Sequence, residues 1–194
     1  MAKTKHTVES ILSDLKQKKF APVYFLHGEE PYFIDKISDY IEENALPEAE
    51  KGFNQVILYG KDVDMAAVMG NAKRFPMMAE KQVVIVKEAQ EIKDIGREEG
   101  QEQLIAYLNN PLDSTILVFA HKNKKLDARK KLAKEASTKG LLFESKKLYD
   151  NQVEPFVAGL IRDNGYKINH NASRIFSQYV GNNLSRINNE FEKL

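Results

Sequence analysis

Cysteine is absent from this 194-residue sequence, and its absence excludes disulfides, thiolate zinc sites, iron–sulfur ligation and thiol nucleophiles together. It suits a reducing compartment, and a cytoplasmic location is expected. An excess of one charge is also missing: 29 Lys and Arg face 28 Asp and Glu, a formal net charge of +1. No overall field would then draw in nucleic acid or an acidic membrane, so any electrostatic partner has to be met by a local patch. No apolar run approaches the roughly 20 residues of a membrane span, and the start, MAKTKHTVES, lacks the apolar centre of a signal peptide. Histidine is scarce. His6, His27, His121 and His170 are scattered, with no second His or carboxylate at ligand spacing on a shared helix face, so no metal site is expected. What is present is ordinary: 42% apolar and 29% charged residues, in a chain long enough to bury a core without staples.

From residue 22 to about 145, short apolar runs alternate with helical patterns. Val23 to His27, Gln55 to Tyr59, Gln82 to Val86, Thr115 to Ala120 and Leu141 to Glu144 read as five strands. Between them lie a helix burying Phe33, Ile37, Tyr40 and Ile41, one from Asp64 to about Lys73 opened by an acidic cap, one carrying Leu104, Ile105 and Leu108, and one capped near Asp127 that buries Leu132, Ala133 and Ala136. Four of the strands are apolar on both faces, as strands covered by helices on both sides must be. The expectation is an α/β fold with a five-stranded, parallel, doubly wound sheet.

After Lys146 the strand signal stops. Val153, Phe156, Val157, Leu160 and Ile161 make one helical stripe, closed by Gly165. Ala172, Ile175, Phe176 and Tyr179 make a second, closed by Gly181, and a third begins at Asn182 or Asn183. The expected division is an α/β domain over 1–147 and a small all-helical domain over 148–194. The apolar series Leu184, Ile187, Phe191 and Leu194 ends without a Gly or Pro stop signal, so a longer parent chain is expected.

The first strand-to-helix turn of a doubly wound sheet is where phosphates bind, on Gly-rich amides and a helix N-terminus. Here it reads His27-Gly28-Glu29-Glu30-Pro31-Tyr32-Phe33-Ile34. Counted from Gly28, the second glycine of a phosphate loop is Phe33, its lysine is Ile34 and its hydroxyl is Asp35. Glu29 and Glu30 set two carboxylates where a triphosphate would lie, and Pro31 removes an amide donor. A magnesium ligand after the third strand would fall on Lys87, whose ammonium repels a cation. Gly28, Glu29, Glu30 and Lys87 thus mark a degenerate nucleotide site, with Glu29 and Glu30 suited to helix capping. No Ser-His-Asp arrangement or acid–base pair can be picked out, so no catalytic residues are assigned.

Two features remain. The basic run His121-Lys122-Asn123-Lys124-Lys125, continuing through Arg129, Lys130, Lys131 and Lys134, reads as a solvated loop and helix face, with phosphate contact by Lys122, Lys124, Lys125 and Arg129 as the alternative. No aromatic is interleaved for base stacking. The stretch Phe75-Pro76-Met77-Met78 has its own two readings. It could be a helix end tucked under the sheet, or, because Pro76 breaks the helix and leaves the methionines in a turn, an exposed apolar tip suited to a partner's groove.

Taken in order, Val23 to Tyr32, Phe75 to Met78 ahead of Gln82 to Val86, Lys125 to Leu132, Val180 to Leu184 and Asn189 to Leu194 resemble the delta-subunit family of the bacterial DNA polymerase III clamp loader. The order and spacing of the pieces carry the resemblance. It implies an AAA+-like core with a degenerate nucleotide site, a helical lid domain, and a collar domain beyond this chain's end that joins the delta prime and gamma/tau subunits. It implies no ATPase activity, cofactor or metal, and a place in a DNA polymerase holoenzyme, a nucleotidyltransferase complex that acts in DNA replication. DNA would be met only inside the assembled complex, and no membrane at all. The family grips the ring-shaped sliding clamp, the beta subunit, and holds it open for loading onto primed DNA by inserting apolar residues at a helix end. Those residues correspond to Met77 and Met78, flanked by Phe75 and Pro76. The family often has Leu-Phe at the pair, so Met-Met keeps apolar volume without the aromatic anchor. The rival expectation is a P-loop-like nucleotide hydrolase or kinase with an atypical phosphate loop.

Overall fold

The computed structural model describes residues 6–167, 169, 171–175 and 183–191. In chain order the first unit contains α1 (Val8–Lys16), β1 (Val23–Gly28), α2 (Pro31–Asn44), α3 (Glu48–Asn54), β2 (Gln55–Tyr59), α4 (Met65–Ala72), β3 (Gln82–Lys87), α5 (Glu98–Asn109), β4 (Thr115–Lys122), α6 (Lys131–Lys139) and β5 (Leu141–Ser145). The five strands form one sheet in the order β2-β3-β4-β1-β5, and every pairing is parallel. The expected α/β, doubly wound class is the observed one.

Strand alternation decides which helix lies on which face. Val23, Phe25, Val84, Val86, Leu117 and Phe119 point to one side, where α4 (Met65, Val68, Met69), α5 (Leu104, Leu108) and α6 (Leu132, Ala136) cover them. Tyr24, Leu26, Val83, Ile85, Ile116 and Val118 point to the other, against Ile11 and Leu15 of α1 and Ile34, Ile37 and Ile41 of α2. Two cores therefore share one sheet, and β3 and β4 are buried over nearly their whole length. β2 is one of the two edge strands and only partly covered.

Three details differ from the sequence reading. The buried stripe of α2 is centred on Ile34, Ile37 and Ile41, while Phe33 and Tyr40 lie at its margins, partly buried against the same core. α6 begins at Lys131 rather than near Asp127. Asp127 instead accepts the Arg129 backbone N–H at 3.0 Å and its guanidinium at 3.0 and 2.9 Å, closing a turn of its own. α1 and α3 are not anticipated by the strand–helix alternation. α1 carries an amphipathic stripe through Ile11 and Leu15, whereas α3 has a single buried residue, Asn54.

Backbone contacts divide the chain into units of residues 1–145 and 146–194. The second unit contains α7 (Asp150–Asp163), a helical segment at 171–175 and α8 (Leu184–Phe191), with no strand among its described residues. α7 buries Val153, Val157, Leu160 and Ile161, and α8 buries Leu184 and Ile187. Gly165, at φ +81°, follows α7 as anticipated. In the 171–175 segment the expected apolar face is not the buried one: Ala172 and Ile175 are exposed and Ser173 is buried. Phe176, Tyr179, Gly181, Asn182, Leu194 and His170 lie outside the described residues. No described helix is long and apolar enough to cross a membrane.

β1 ends at Gly28, which is at φ +138°, and a Cβ there would sit 1.9 Å from the Ser145 carbonyl oxygen on β5. The glycine is required by a close approach of two backbones as well as by its dihedral angle. We expect Gly28→Ala to destabilise the protein by about 3 kcal/mol, read as a lowered urea midpoint; an unchanged midpoint would show that the two strands are free to separate.

Candidate functional site

The turn after β1 is where an α/β sheet would hold a nucleotide, and its amide donors already have acceptors within the protein. The Gly28 N–H donates to the Lys124 carbonyl at 3.1 Å, and the Glu29 N–H to the Ser145 carbonyl at 3.0 Å. Glu30, only 6% exposed, caps α2, its Oε1 accepting the Tyr32 N–H at 3.1 Å. Pro31 has no N–H to offer. The Ser145 hydroxyl donates to the Glu30 carbonyl at 2.6 Å, which ties the turn to β5. A phosphate would have to displace these bonds and then face the Glu30 carboxylate, so the turn does not fit a nucleotide triphosphate.

The neighbouring strand ends are closed by ion pairs. Lys122 Nζ lies 2.7 Å from Asp35 and 2.8 Å from Glu88, and the Lys122 backbone N–H donates to Gln90 Oε1 at 2.8 Å. Burial alone would lower the Lys122 pKa, but the hydrogen bonds and charges of Asp35 and Glu88 outweigh it and raise it. Lys87 Nζ lies 2.7 Å from Glu42 and 3.8 Å from Asp39, and its pKa is likewise raised against the effect of burial. The lysine at the metal-ligand position thus has two carboxylates of its own. Among the described residues no group of three or more His, Asp and Glu could hold a metal ion.

Three of the four candidate phosphate contacts in the basic run are matched by acids. Lys122 is paired as above, Lys125 lies 3.2 Å from Glu29, and Arg129 lies 2.9 Å from Asp127. Lys124 is exposed, with no acidic partner among the described residues. These pairs compensate three of the four candidate phosphate contacts, while Lys130, Lys131 and Lys134 further along the run are exposed.

The apolar stretch sits at the opposite edge of the sheet, ahead of β3. α4 is capped by Asp64, whose Oδ1 accepts the Ala67 N–H at 2.9 Å, and it stops at Ala72 before Pro76. The loop from Lys73 to Lys81 leaves Phe75 76%, Met77 55% and Met78 104% exposed, with Pro76 half-buried. Met78 has φ +52°, a left-handed conformation that costs a non-glycine residue roughly 1–2 kcal/mol.

That loop is pinned at three points. At its start, Gln82 Nε2 donates to the Arg74 carbonyl at 2.5 Å and to Thr115 Oγ1 at 2.8 Å, and Thr115 donates to the Ala72 carbonyl at 3.0 Å. At its middle, Asn54 Oδ1 accepts the Met77 N–H at 2.6 Å and Asn54 Nδ2 donates to the Met77 carbonyl at 3.0 Å. At its end, Lys81 Nζ donates to the Asp113 carbonyl at 2.5 Å and the Gln82 N–H to the Ser114 carbonyl at 2.8 Å. Side chains therefore fix the backbone while Phe75, Met77 and Met78 face solvent. Sequence reasoning missed Asn54, Gln82 and Thr115, because a polar residue's distant backbone partner leaves no local pattern.

His27 and His121 are aligned on β1 and β4 and hold the loop after β4 in place. His27 Nδ1 accepts the Leu126 N–H at 3.1 Å, and His121 Nδ1 lies 3.3 Å from the Lys124 carbonyl. Burial pushes the His27 pKa from 6.5 down to about 4; Glu144 opposes the shift, and His121 and Lys125 add to it. A group kept neutral in the fold but protonated in the unfolded chain lowers stability below pH 6.5, increasingly down to about 4. Through His27 we expect a loss of roughly 2 kcal/mol between pH 7 and pH 5. Urea midpoints should fall less over that interval in His27→Asn, and equal slopes for variant and parent would contradict the assignment.

Comparison with known proteins bears on the family and the fold. The family model described as DNA polymerase III, delta subunit, matches residues 24–146. DNA polymerase III subunit delta of Bacillus subtilis (strain 168) is 27% identical over 191 residues, 96% of this chain and 55% of that relative. The solved Bacillus subtilis DNA clamp loader delta protein superposes with a TM-score of 0.79 at 26% identity, over 96% of this chain and 56% of that one. Domain III of the Thermotoga maritima replication initiation protein DnaA has a TM-score of 0.51 at 14% identity, over 96% of this chain and 80% of that one, a likeness of fold alone. The chain spans about half the length of the curated relative it matches. The family match covers more than half of the residues here, and the chain belongs to the DNA polymerase III delta-subunit family.

Proposed function

We propose that the chain is the clamp-gripping part of a clamp-loader subunit. It docks the apolar tip Phe75, Pro76, Met77 and Met78 into a groove on the sliding clamp, helps hold the ring open for loading onto primed DNA, and turns over no nucleotide itself. The observation that carries this reading is Met78, wholly exposed at a positive φ on a loop whose backbone is fixed on both sides of it. An exposed, strained apolar residue on a pinned loop is costly unless something covers it. The solved Bacillus subtilis relative is a DNA clamp loader delta protein, which supplies the partner's identity for this proposal. Residues 1–145 would act as an AAA+-like core with a degenerate nucleotide site and residues 146–194 as the lid. Delta prime and gamma/tau subunits would be met through a collar domain, DNA only within the assembled loader, and the setting would be the cytoplasm.

The phosphate-contact reading of Lys122, Lys124, Lys125 and Arg129 is not favoured, since three of the four are paired with acids. The hydrolase or kinase alternative requires a nucleotide at the first turn, where Gly28 and Glu29 already donate to backbone carbonyls. Titration with ATP and magnesium should give no binding heat, and a saturable heat would favour that alternative.

Truncation of interface anchors costs about 2 kcal/mol each, so joint replacement of Met77 and Met78 by alanine should weaken binding to the purified clamp by roughly 100- to 1,000-fold. The circular dichroism spectrum should not change, because both side chains are exposed; undiminished clamp affinity would refute the tip assignment. Met78→Gly separates fold from function. Glycine relieves the left-handed strain at some entropic cost, so stability should hold or rise by up to about 1 kcal/mol while clamp affinity falls.

A further inference from the structure

The backbone of the tip is held by a residue from a second segment. In the sheet register Gln55 of β2 lies opposite Val83 of β3, so the end of α3 and the end of the tip loop meet at the same corner of the sheet edge. At that corner Asn54 is 2% exposed, and its amide bridges both backbone groups of Met77. The preceding residue, Phe53, is 71% exposed on a helix whose one buried residue is Asn54. A short helix with almost no apolar burial contributes little to the core. It delivers one buried amide to the tip, and the residue before that amide is a bare aromatic.

We propose that α3 is the second half of the docking surface: Asn54 is a positioning residue that sets the tip for binding, and Phe53 contacts the partner. This rests on the reading of the tip as a clamp-binding element. The occupant is the apolar groove that receives Met77 and Met78, because Phe53 is an exposed aromatic next in sequence to the residue that holds the Met77 backbone. Asn54 acts through preorganisation. A loop already held in its bound conformation loses less entropy on binding, so the partner's contacts appear as affinity instead of being offset by ordering.

Two measurements on this chain separate the inference from the reading beneath it. The first needs no partner. Lys73, Arg74 and Lys81 bracket the tip, and their tryptic cleavage should accelerate at least about fivefold in Asn54→Ala as the loop opens locally, while Phe53→Ser is cleaved at the parent rate. The second is affinity for the purified sliding clamp of the same organism. Loss of the lock or of an aromatic anchor should each weaken binding about tenfold or more in Asn54→Ala and Phe53→Ser.

If the parent binds and the methionine double variant does not, yet both α3 variants bind like the parent, the tip reading stands and the α3 proposal fails. Parent-like affinity in Phe53→Ser alone would remove Phe53 from the surface, and parent-like cleavage and affinity in Asn54→Ala would remove the lock. If the parent itself binds no clamp, the tip reading fails and this proposal falls with it. Should Asn54→Ala fail to fold, Phe53→Ser, changed only at an exposed position, still decides whether α3 belongs to the interface.

Discussion

The destination of backbone hydrogen bonds at the two ends of the sheet decides what each end can do. A buried N–H or C=O must find a partner, and in a parallel sheet the groups left over gather where strands give way to turns. At the carboxyl end of β1 the partners are other backbone groups: Lys124 and Ser145 take the Gly28 and Glu29 amides. A phosphate-binding turn needs those donors unsatisfied and aimed outward. Here the same amides bind the loop after β4 and the end of β5, which makes the turn a structural knot. The approach is so close that only glycine fits at residue 28.

Charge follows the same logic. Lys87 and Lys122 occupy the ends of β3 and β4, and between them they engage Asp35, Asp39, Glu42 and Glu88. In partly buried pairs of this sort the cost of desolvation offsets much of the attraction, so the network is weak evidence for stability. Its clearer consequence is positional. It fastens α2 to the carboxyl edge through side chains that, with another sequence, could have met a metal and a phosphate.

Much of this was legible in the sequence and some was not, for identifiable reasons. The strands were readable because both faces are buried, so Val83 to Val86 and Thr115 to Ala120 appear as unbroken apolar runs. The wrong residue types in the first turn were readable because a phosphate loop is a local pattern with fixed spacing. The acidic pairing of Lys122 and Lys125 was not, since Asp35, Glu88 and Glu29 reach them from distant points of the chain. α3 was missed because GluAlaGluLysGlyPhe carries a glycine and no apolar period. The face of the 171–175 segment was misassigned because a stripe of so few residues does not fix the helix phase. Asn54 is the most telling omission: as an isolated polar residue between a helix and a strand, it means nothing until Met77 is seen beside it.

The tip shows why a pinned loop and an exposed side chain belong together. Methionine is flexible, and a mobile loop bearing two of them would lose conformational freedom in both backbone and side chain on binding. Here the backbone share is already lost in the free protein: Gln82 and Thr115 fix the exit from α4, Asn54 fixes Met77, and Lys81 fixes the entry into β3. Only side-chain freedom remains to be given up, and thioether chains adapt their shape to whatever groove receives them. Rigid backbone supplies position, and soft side chains supply fit. The left-handed turn at Met78 follows from the same division, because a chain held on both sides within a few residues leaves the intervening dihedral angles little choice.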